Sequence, residues 1–359
     1  MKSKLGKFKV LLILSFLLLV LSGCGWENLT ALVPKGYGAE SSMNLIILTT
    51  VVMTFVFLSV MIIYVIVLTR FRKRKGEEDV IPVQVEGSKA LETIWTIIPI
   101  ILVLIMAVPT VIATFDLADA SDKDEHLNIN VTGKQYWWHF DYEDEEIVTS
   151  QDMYIPVNTK VYVNLFSEDV LHSFWVPSLS GKLDVNVENE NTMFMEAYEE
   201  GVFYGKCAEL CGPSHSLMDF KVVVVSEEEY EQWVQDIKNV DPEESPADAV
   251  AQEGRELFEA NSCINCHAIG SADYVQGDRS ANVPVGPDLT SFGDRSRFAG
   301  ILPPTKENLV KWLKDPEEIK PGNLMTGMYP ELTDDEAEKI AEYLMQLQPS
   351  EVNAENAGN

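Results

Sequence analysis

Two short stretches of the sequence concentrate side chains that bind soft metal ions or attach cofactors. The first, KCAELCGPSHSLM, brings Cys207, Cys211, His215 and Met218 into one segment. The second is the pentapeptide CINCH at positions 263–267. Thiolate, imidazole and thioether groups are preferred ligands of copper and zinc, and C-x-x-C-H is the attachment motif of a c-type haem. These residue types therefore indicate electron-transfer chemistry at metal centres.

The first stretch has one thiolate more than a mononuclear copper site needs. A blue-copper site uses one cysteine, two histidines and a weak axial methionine. Here a distant histidine, His172 in VLHSFWVPSL, joins a segment that contains both Cys207 and Cys211. We interpret the extra thiolate as a bridge, because two thiolates can span two copper ions and leave one imidazole for each. Met218 would then be a weak ligand, and the rigid pair would suit electron transfer.

Other interpretations of these ligands remain open. A structural zinc site is also built from cysteine and histidine, and Cys207 and Cys211 could form a disulfide. Zinc does not need the thioether of Met218, which favours copper. The other two histidines before the second stretch, His126 and His139, are expected to be ordinary strand or surface residues.

The second stretch predicts covalent haem attachment outside the cytoplasm. Cys263 and Cys266 would form thioether bonds to the porphyrin, and His267 would supply an axial nitrogen. A pentapeptide this short could also be a redox or zinc motif. A downstream methionine would complete the ligation typical of cytochromes c, and Met325 and Met328 are the candidates. Met345 falls on the apolar face of a predicted helix, so core packing is the expected role.

The elements before these sites are predicted to lie in a membrane. Residues 1–23 combine four lysines with an apolar run and are typical of a signal peptide; Leu-Ser-Gly-Cys24 resembles a bacterial lipoprotein processing site, where Cys24 would carry lipid. The alternative is an uncleaved anchor.

Apolar stretches at 44–69 and 94–115 are long enough to span a bilayer. The basic loop RFRKRK between them places that loop in the cytoplasm and both flanking segments outside.

Glu92 opens the second apolar stretch, in LETIW. An ionisable group at a membrane boundary can belong to a proton path. It can equally be an interfacial carboxylate at a helix start, beside an aromatic-belt tryptophan. Physical arguments alone favour the second interpretation.

The remaining sequence divides into a β part, a linker and a helical part. Residues 116–237 contain short β-branched runs separated by turns, which predicts a sandwich; residues 238–248 form an acidic linker, and 249–359 have helical periodicity. The net charge is −29, and residues 116–359 carry all of the excess because residues 1–115 are net positive. So acidic an exterior argues against nucleic-acid binding.

Taken together, these segments resemble subunit II of haem-copper cytochrome c oxidases, of the bacterial type with a fused C-terminal cytochrome c domain. The resemblance is carried by ETIWTIIP, GKQYWWHFDYED, EDVLHSFWVPSL, KCAELCGPSHSLM, CINCH and KPGNLM. It implies a multidomain fold: a two-helix transmembrane hairpin, an all-β cupredoxin-like Greek-key sandwich and an all-α class I cytochrome c domain.

The resemblance also implies a role for each site residue. The implied ligands of a dinuclear CuA centre are His172, Cys207, the carbonyl of Glu209, Cys211, His215 and Met218. Glu209 would also match a magnesium ligand at the subunit I interface, and Glu92 the entrance of a proton path. The implied haem residues are Cys263, Cys266, His267 and Met325. Tyr136, Trp137 and Trp138 align with the electron-entry run, in which the family usually has tryptophan first, so that external entry at Tyr136 is in question.

The implied function is that of an enzyme subunit. Electrons from a cytochrome c or another respiratory donor would enter through the haem, pass to CuA and continue to subunit I, where dioxygen is reduced to water with proton translocation. The implied location is a bacterial cell membrane, with the CuA and haem domains outside. The alternative is a membrane-anchored copper-delivery protein, which should lack the Met218 spacing and the haem. A nitrous oxide reductase would need many more than the five histidines present, and quinol-oxidising relatives lack the copper cysteines.

Overall fold

A computed structural model describes residues 9, 12–17, 27–72, 83–84, 86–246, 248–270, 274–276, 279–354 and 357. The predicted fold class is confirmed: a helical hairpin precedes a β-sandwich, and a helical domain follows. Cys24 and residues 73–75 of the basic loop RFRKRK lie outside the described residues.

The hairpin consists of α1 (Tyr37–Arg70) and α2 (Lys89–Leu117), which extend beyond the predicted spans at both ends. Both are long and apolar enough to cross a membrane. Their large side chains, such as those of Phe55, Ile62 and Ile112, are mostly exposed. A helix with apolar groups on every side needs an apolar surrounding, which lipid provides.

The start of α1 is joined to the sandwich by backbone hydrogen bonds. The amide of Lys35 donates to the carbonyl of Ser178, and that of Ala39 to the carbonyl of Leu179. A Cβ at Gly36 would lie 2.6 Å from the carbonyl oxygen of Glu196, so only glycine allows this approach. The hairpin and the sandwich therefore meet through the main chain.

The sandwich contains two five-stranded sheets that enclose one core. The first has the order β3-β2-β1-β5-β8 and the second β4-β10-β9-β6-β7. Alternation along β2 points Trp138, Phe140 and Tyr142 into the core. The strands are β1 (Leu127–Lys134), β2 (Trp137–Tyr142), β3 (Ile147–Ser150), β4 (Asp152–Pro156), β5 (Val161–Ser167), β6 (His172–Trp175), β7 (Lys182–Val185), β8 (Asn191–Met195), β9 (Gly201–Cys207) and β10 (Asp219–Val225).

Helix α3 (Glu227–Lys238) closes the sandwich on one side. It begins with a capping box formed by Ser226 and Glu229, which satisfies the free amides of its first turn. Trp233 stacks on Tyr154 of β4 with ring centroids 4.4 Å apart. The aromatic contact fixes the helix on the sheet.

The C-terminal domain is helical and has its own apolar core. Its first and last long helices, α4 and α8, pack against each other, and Phe258 meets Tyr343 edge to face. The predicted helix that carries Met345 is observed at Asp334–Met345, after a capping box of Thr333 and Glu336. The helices are α4 (Ala249–Ala260), α5 (Arg279–Asn282), α6 (Lys306–Lys314), α7 (Pro316–Ile319) and α8 (Asp334–Met345).

Replacing Gly254 with alanine is expected to destabilise this helical domain. A Cβ at position 254 would lie 2.0 Å from the carbonyl oxygen of Lys339, so α4 and α8 would have to move apart. Overpacking of this kind costs about 1–3 kcal/mol. Thermal unfolding of the purified protein, followed at the haem absorbance, measures the loss. Gly181→Ala is the control, because its Cβ would meet nothing within 4 Å; equal midpoints for both variants would contradict the prediction.

Candidate metal centre and haem site

The predicted copper ligands come from adjacent strands of the second sheet. His172 begins β6, and Cys207 ends β9, which pairs with β6 at Phe174 and Cys207. The chain then turns through Cys211 and a 3-10 turn that starts at His215, and Met218 immediately precedes β10. The order β10-β9-β6 therefore brings His172 and the segment from Cys207 to Met218 to one end of the sheet.

The side chains converge with each sulfur beside a different histidine. The Sγ atoms of Cys207 and Cys211 are 3.8 Å apart. The Nδ1 atom of His172 lies 3.8 Å from the first sulfur, and that of His215 lies 3.6 Å from the second. A disulfide has an S–S distance of about 2 Å, and both cysteines are free thiols in this structure.

The two weak donors complete the same cluster. The carbonyl oxygen of Glu209 is 3.3 Å from the Cys207 sulfur, and the Met218 sulfur is 3.9 Å from that of Cys211. The carbonyl oxygen, a hard donor, thus lies beside one cysteine sulfur, and the thioether, a soft donor, lies beside the other. The donor set fits two copper ions, because it can be divided into two similar halves that share both sulfurs.

The two thiols and His172 are buried, and each thiol strongly influences the pKa of the other. The contact between the two thiols lowers the pKa of Cys207 and raises the pKa of Cys211, because one thiol stabilises the other as a thiolate. A metal ion between them would favour the thiolate form of both groups, since a coordinating thiol is deprotonated. The arrangement is therefore suited to cations and poorly suited to two free thiolates.

Asp169 orients the first histidine. The His172 Nε2 atom is 2.8 Å from the Asp169 carboxylate, which also accepts hydrogen bonds from the amides of Gln135 and Val170. Burial lowers the pKa of His172, but its hydrogen bonds and charge interactions with Asp169 and Cys207 together outweigh burial and raise the pKa overall. The carboxylate holds the ring with Nδ1 towards the sulfurs, as outer-shell partners of metal-binding histidines do.

Replacing Asp169 with asparagine is expected to weaken copper binding by about 10–100-fold, the usual effect of losing such a partner. Copper retained against a graded chelator, followed by absorption spectroscopy, measures the change. Asp184→Asn is a matched control, because Asp184 is an exposed carboxylate on the strand that pairs with β6. Identical chelation curves for the two variants would refute this role.

The haem motif lies at the surface of the helical domain. Cys263 and Cys266 are partly exposed around a 3-10 turn, and His267 follows directly. The His267 Nδ1 atom is 2.8 Å from the carbonyl oxygen of Pro287. Burial lowers the pKa of His267. With Nδ1 engaged, Nε2 remains for an iron ion, and the residues present fit a c-type haem.

The two candidate axial methionines differ in environment. Met325 packs against the core of the helical domain, whereas Met328 is 68% exposed. The amide of Met325 is held by the Asn323 side chain, which also donates to the carbonyl of Lys320. The structure therefore brings Met325 towards the domain interior and leaves Met328 outside.

The remaining predicted residues lie in different surroundings. Tyr136, Trp137 and Trp138 are all buried, and Trp138 packs against His172 with ring centroids 6.0 Å apart. Glu92 is exposed in the first turn of α2. Cys24 is outside the described residues.

Sequence reasoning missed Asp169 and Lys320. A carboxylate three residues before a metal-binding histidine was available as a signal for Asp169, because such histidines almost always have an outer-shell partner. Lys320 contacts the β-sandwich from the helical domain. That contact depends on how the two domains meet, and local sequence patterns give no information on this.

Fold and site together define a class: membrane-anchored electron-transfer proteins in which a cupredoxin-like sandwich with a two-thiolate site is fused to a cytochrome c. Three family models match the chain, namely the transmembrane domain of cytochrome c oxidase subunit II at residues 39–112, its periplasmic domain at 146–226, and cytochrome c at 251–348. The chain belongs to the cytochrome c oxidase subunit 2 family.

The similarity to known proteins covers nearly the whole chain. The cytochrome c oxidase subunit 2 of Alkalihalophilus pseudofirmus is 46% identical over 343 residues, which cover 94% of this chain and 96% of the relative. That of Bacillus subtilis is 43% identical over 354 residues, covering 95% and 98%. A crystal structure of the periplasmic domain of subunit II from Bradyrhizobium japonicum covers 30% of this chain and 91% of its own, at 31% identity and a TM-score of 0.30.

Family membership confirms the resemblance seen in the motifs. It makes the chain an electron-transfer subunit of a membrane-bound oxidase, with extracytoplasmic domains and with subunit I and other oxidase subunits as partners. It also implies CuA copper for the sandwich and haem for the helical domain.

Proposed function

We propose that this chain is the electron-entry subunit of a proton-translocating terminal oxidase. It receives electrons through a covalently bound c-type haem, transfers them to a dinuclear CuA centre and passes them to subunit I, where dioxygen is reduced to water. The observation that carries the proposal is the pairing of each cysteine sulfur with its own histidine, at 3.8 and 3.6 Å, around sulfurs 3.8 Å apart.

The proposed ligands divide between the two domains. Bound copper would supply a one-electron carrier shared between two nuclei. The protein contributes a rigid, water-poor site, since Cys207, Cys211 and Met218 belong to the packed core of the sandwich. In the helical domain Cys263 and Cys266 would attach the haem covalently, and His267 and Met325 would bind its iron. The proposed copper ligands are His172, Cys207, the carbonyl of Glu209, Cys211, His215 and Met218.

Further assignments belong to the same proposal. Cys24 would be lipid-modified after removal of residues 1–23, Glu92 would stand at the entrance of a proton path, and Glu209 would also bind magnesium at the subunit I interface. Tyr136, Trp137 and Trp138 would conduct electrons towards copper. The proposed divisions of the mature chain are 24–115, 116–237, 238–248 and 249–359.

Electron paramagnetic resonance combined with optical spectroscopy tests the proposal directly. In the purified oxidase we expect one unpaired electron whose hyperfine coupling is spread over two copper nuclei, together with the absorption of a covalent c-type haem. A single copper, or zinc, in the sandwich would refute it. Deletion of residues 240–359 should also diminish oxidation of soluble cytochrome c, and undiminished oxidation would contradict entry through the haem.

A further inference from the structure

The helical domain is packed directly against the sandwich, and two of its loops take part: one lies beside His267, the proposed proximal haem ligand, and the other carries Met325. The proximal loop, defined here as residues 284–288, includes the carbonyl next to His267. The distal loop, residues 320–325, ends at Met325. Each of these loops contacts the sandwich through hydrogen bonds.

The proximal loop lies on the outer face of the first sheet. Lys134 of β1 donates from Nζ to the carbonyl of Pro284 at 3.1 Å, and the amide of Asp288 donates to the Ser150 hydroxyl of β3 at 3.0 Å. Trp137 and His139 alternate with the core residues of β2, so they point to this outer face. Both are nevertheless buried, and their strand partners Lys134 and Ser150 are the residues that hydrogen-bond to the proximal loop.

The distal loop lies against the copper loop. Ser214, next to His215, donates from its hydroxyl to the carbonyl of Pro321 at 2.7 Å. Gly322 follows with a φ of +74°, and a Cβ there would be 3.4 Å from Pro213 and 3.5 Å from the Tyr136 hydroxyl. The two loops are therefore in close contact at the side of the copper site.

Lys320 occupies the centre of this junction. Its Nζ donates to the carbonyl of Tyr136 at 2.6 Å and to that of Ala299 at 2.9 Å, one in each domain. The residue is only 3% exposed, and burial lowers the pKa of its amine to about 7. Burying an amine is costly unless its hydrogen bonds are made, so this position requires that both domains supply their acceptors.

We propose that Lys320 is a positioning residue that locks the haem domain onto the copper domain, so that electrons cross between fixed partners and external donors reach copper only through the haem. This inference rests on the proposed function. In the step concerned, the chain conducts one electron from the reduced haem to the oxidised copper pair, with no bond made or broken and no proton transferred. Tyr136 and Trp137 then serve an internal donor, which agrees with their burial under it.

Amine labelling of the intact, purified oxidase tests the docked state without reference to activity. Because one acceptor of Lys320 belongs to the sandwich, a domain that swung free would expose the amine. We expect an acylating reagent to modify Lys320 at least about tenfold more slowly than Lys311, which is exposed on α6. Equal rates, read by mass spectrometry of the peptides, would overturn the proposal.

The rate of electron transfer from haem to copper tests whether electrons cross between domains that are held in a fixed arrangement. After rapid reduction of the haem, transfer between locked partners should not depend on solvent viscosity, whereas a tethered domain that must find its site would slow in proportion to it. We further expect Lys320→Met to slow the transfer about tenfold, because two buried carbonyls lose their donor. Lys311→Met makes the same change at an exposed ion pair and should leave the rate unaltered.

The outcomes separate this inference from the proposed function. If copper is not reduced after the haem in the unaltered protein, the proposed function fails. If copper is reduced but the rate falls with viscosity, or Lys320→Met transfers at the unaltered rate with intact haem and copper spectra, only the locking role fails. If Lys320→Met does not retain its haem, labelling and viscosity measurements on the unaltered protein decide.

Discussion

Replacement of Cys207 by serine is expected to eliminate the dinuclear copper signal and to lower turnover with reduced cytochrome c by more than about 100-fold, since loss of an outer-shell partner alone costs 10–100-fold. A serine hydroxyl is a hard, protonated group and cannot bridge soft copper ions as a thiolate does. Cys207 touches Cys211, His172 and the Glu209 carbonyl at once. Its removal therefore breaks both halves of the site.

Paramagnetic resonance and metal analysis of the purified oxidase measure the effect of Cys207→Ser. The haem provides an internal control, because the variant should keep the covalent haem of the other domain. Retention of a signal shared by two coppers would show that Cys207 is not a bridge. A Met218→Leu variant gives a graded comparison: it should keep two coppers and change only the reduction potential.

The double replacement Cys263→Ser and Cys266→Ser is expected to remove covalently bound haem completely and to lower turnover with reduced cytochrome c by more than about 100-fold. Without thioether bonds, only axial ligands would hold the porphyrin. The helical domain should also lose stability, because Cys263 and Met325 pack against its apolar core and the haem would lie between these groups. Haem staining after denaturing electrophoresis measures covalent attachment.

The two cysteine experiments control each other. They make the same chemical change in different domains, so the double variant should keep the copper signal that Cys207→Ser loses. Loss of both cofactors in either variant would indicate misfolding of the whole chain. Persistent haem staining of the double variant would refute thioether attachment at these positions.

The proposed metal ligands could be picked out from the sequence because the chemistry of such a site restricts the residue types tightly. Few sites require two thiolates, a following histidine and a methionine, so Cys207, Cys211, His215 and Met218 were recognisable without coordinates. The last helix was recognisable for a similar local reason, since the capping box of Thr333 and Glu336 and its apolar period lie within a few turns.

The contacts between domains could not be predicted in the same way. Nothing in the local pattern of Lys320 distinguishes it from a surface lysine, and its burial depends on a carbonyl 184 residues earlier in the chain. His139 likewise occupies an outward position of β2 and is nevertheless buried, and this burial, with a smaller contribution from the charge of Lys134, lowers its pKa to about 3. Such features depend on how the two domains dock. The hydrophobic periodicity and the secondary-structure propensity of a segment carry no information on that docking.

The main-chain junction between α1 and the sandwich has a mechanical consequence. Lys35 and Ala39 are hydrogen-bonded to Ser178 and Leu179. A change in the direction of the helix axis is therefore transmitted to the β-domain. A bilayer that is thinner than the apolar length of the helix is accommodated by tilting of the helix. Any such tilt would also change the orientation of the β-domain. Lipid thickness would therefore set the angle at which the metal-bearing end of the β-domain faces its neighbour in the membrane.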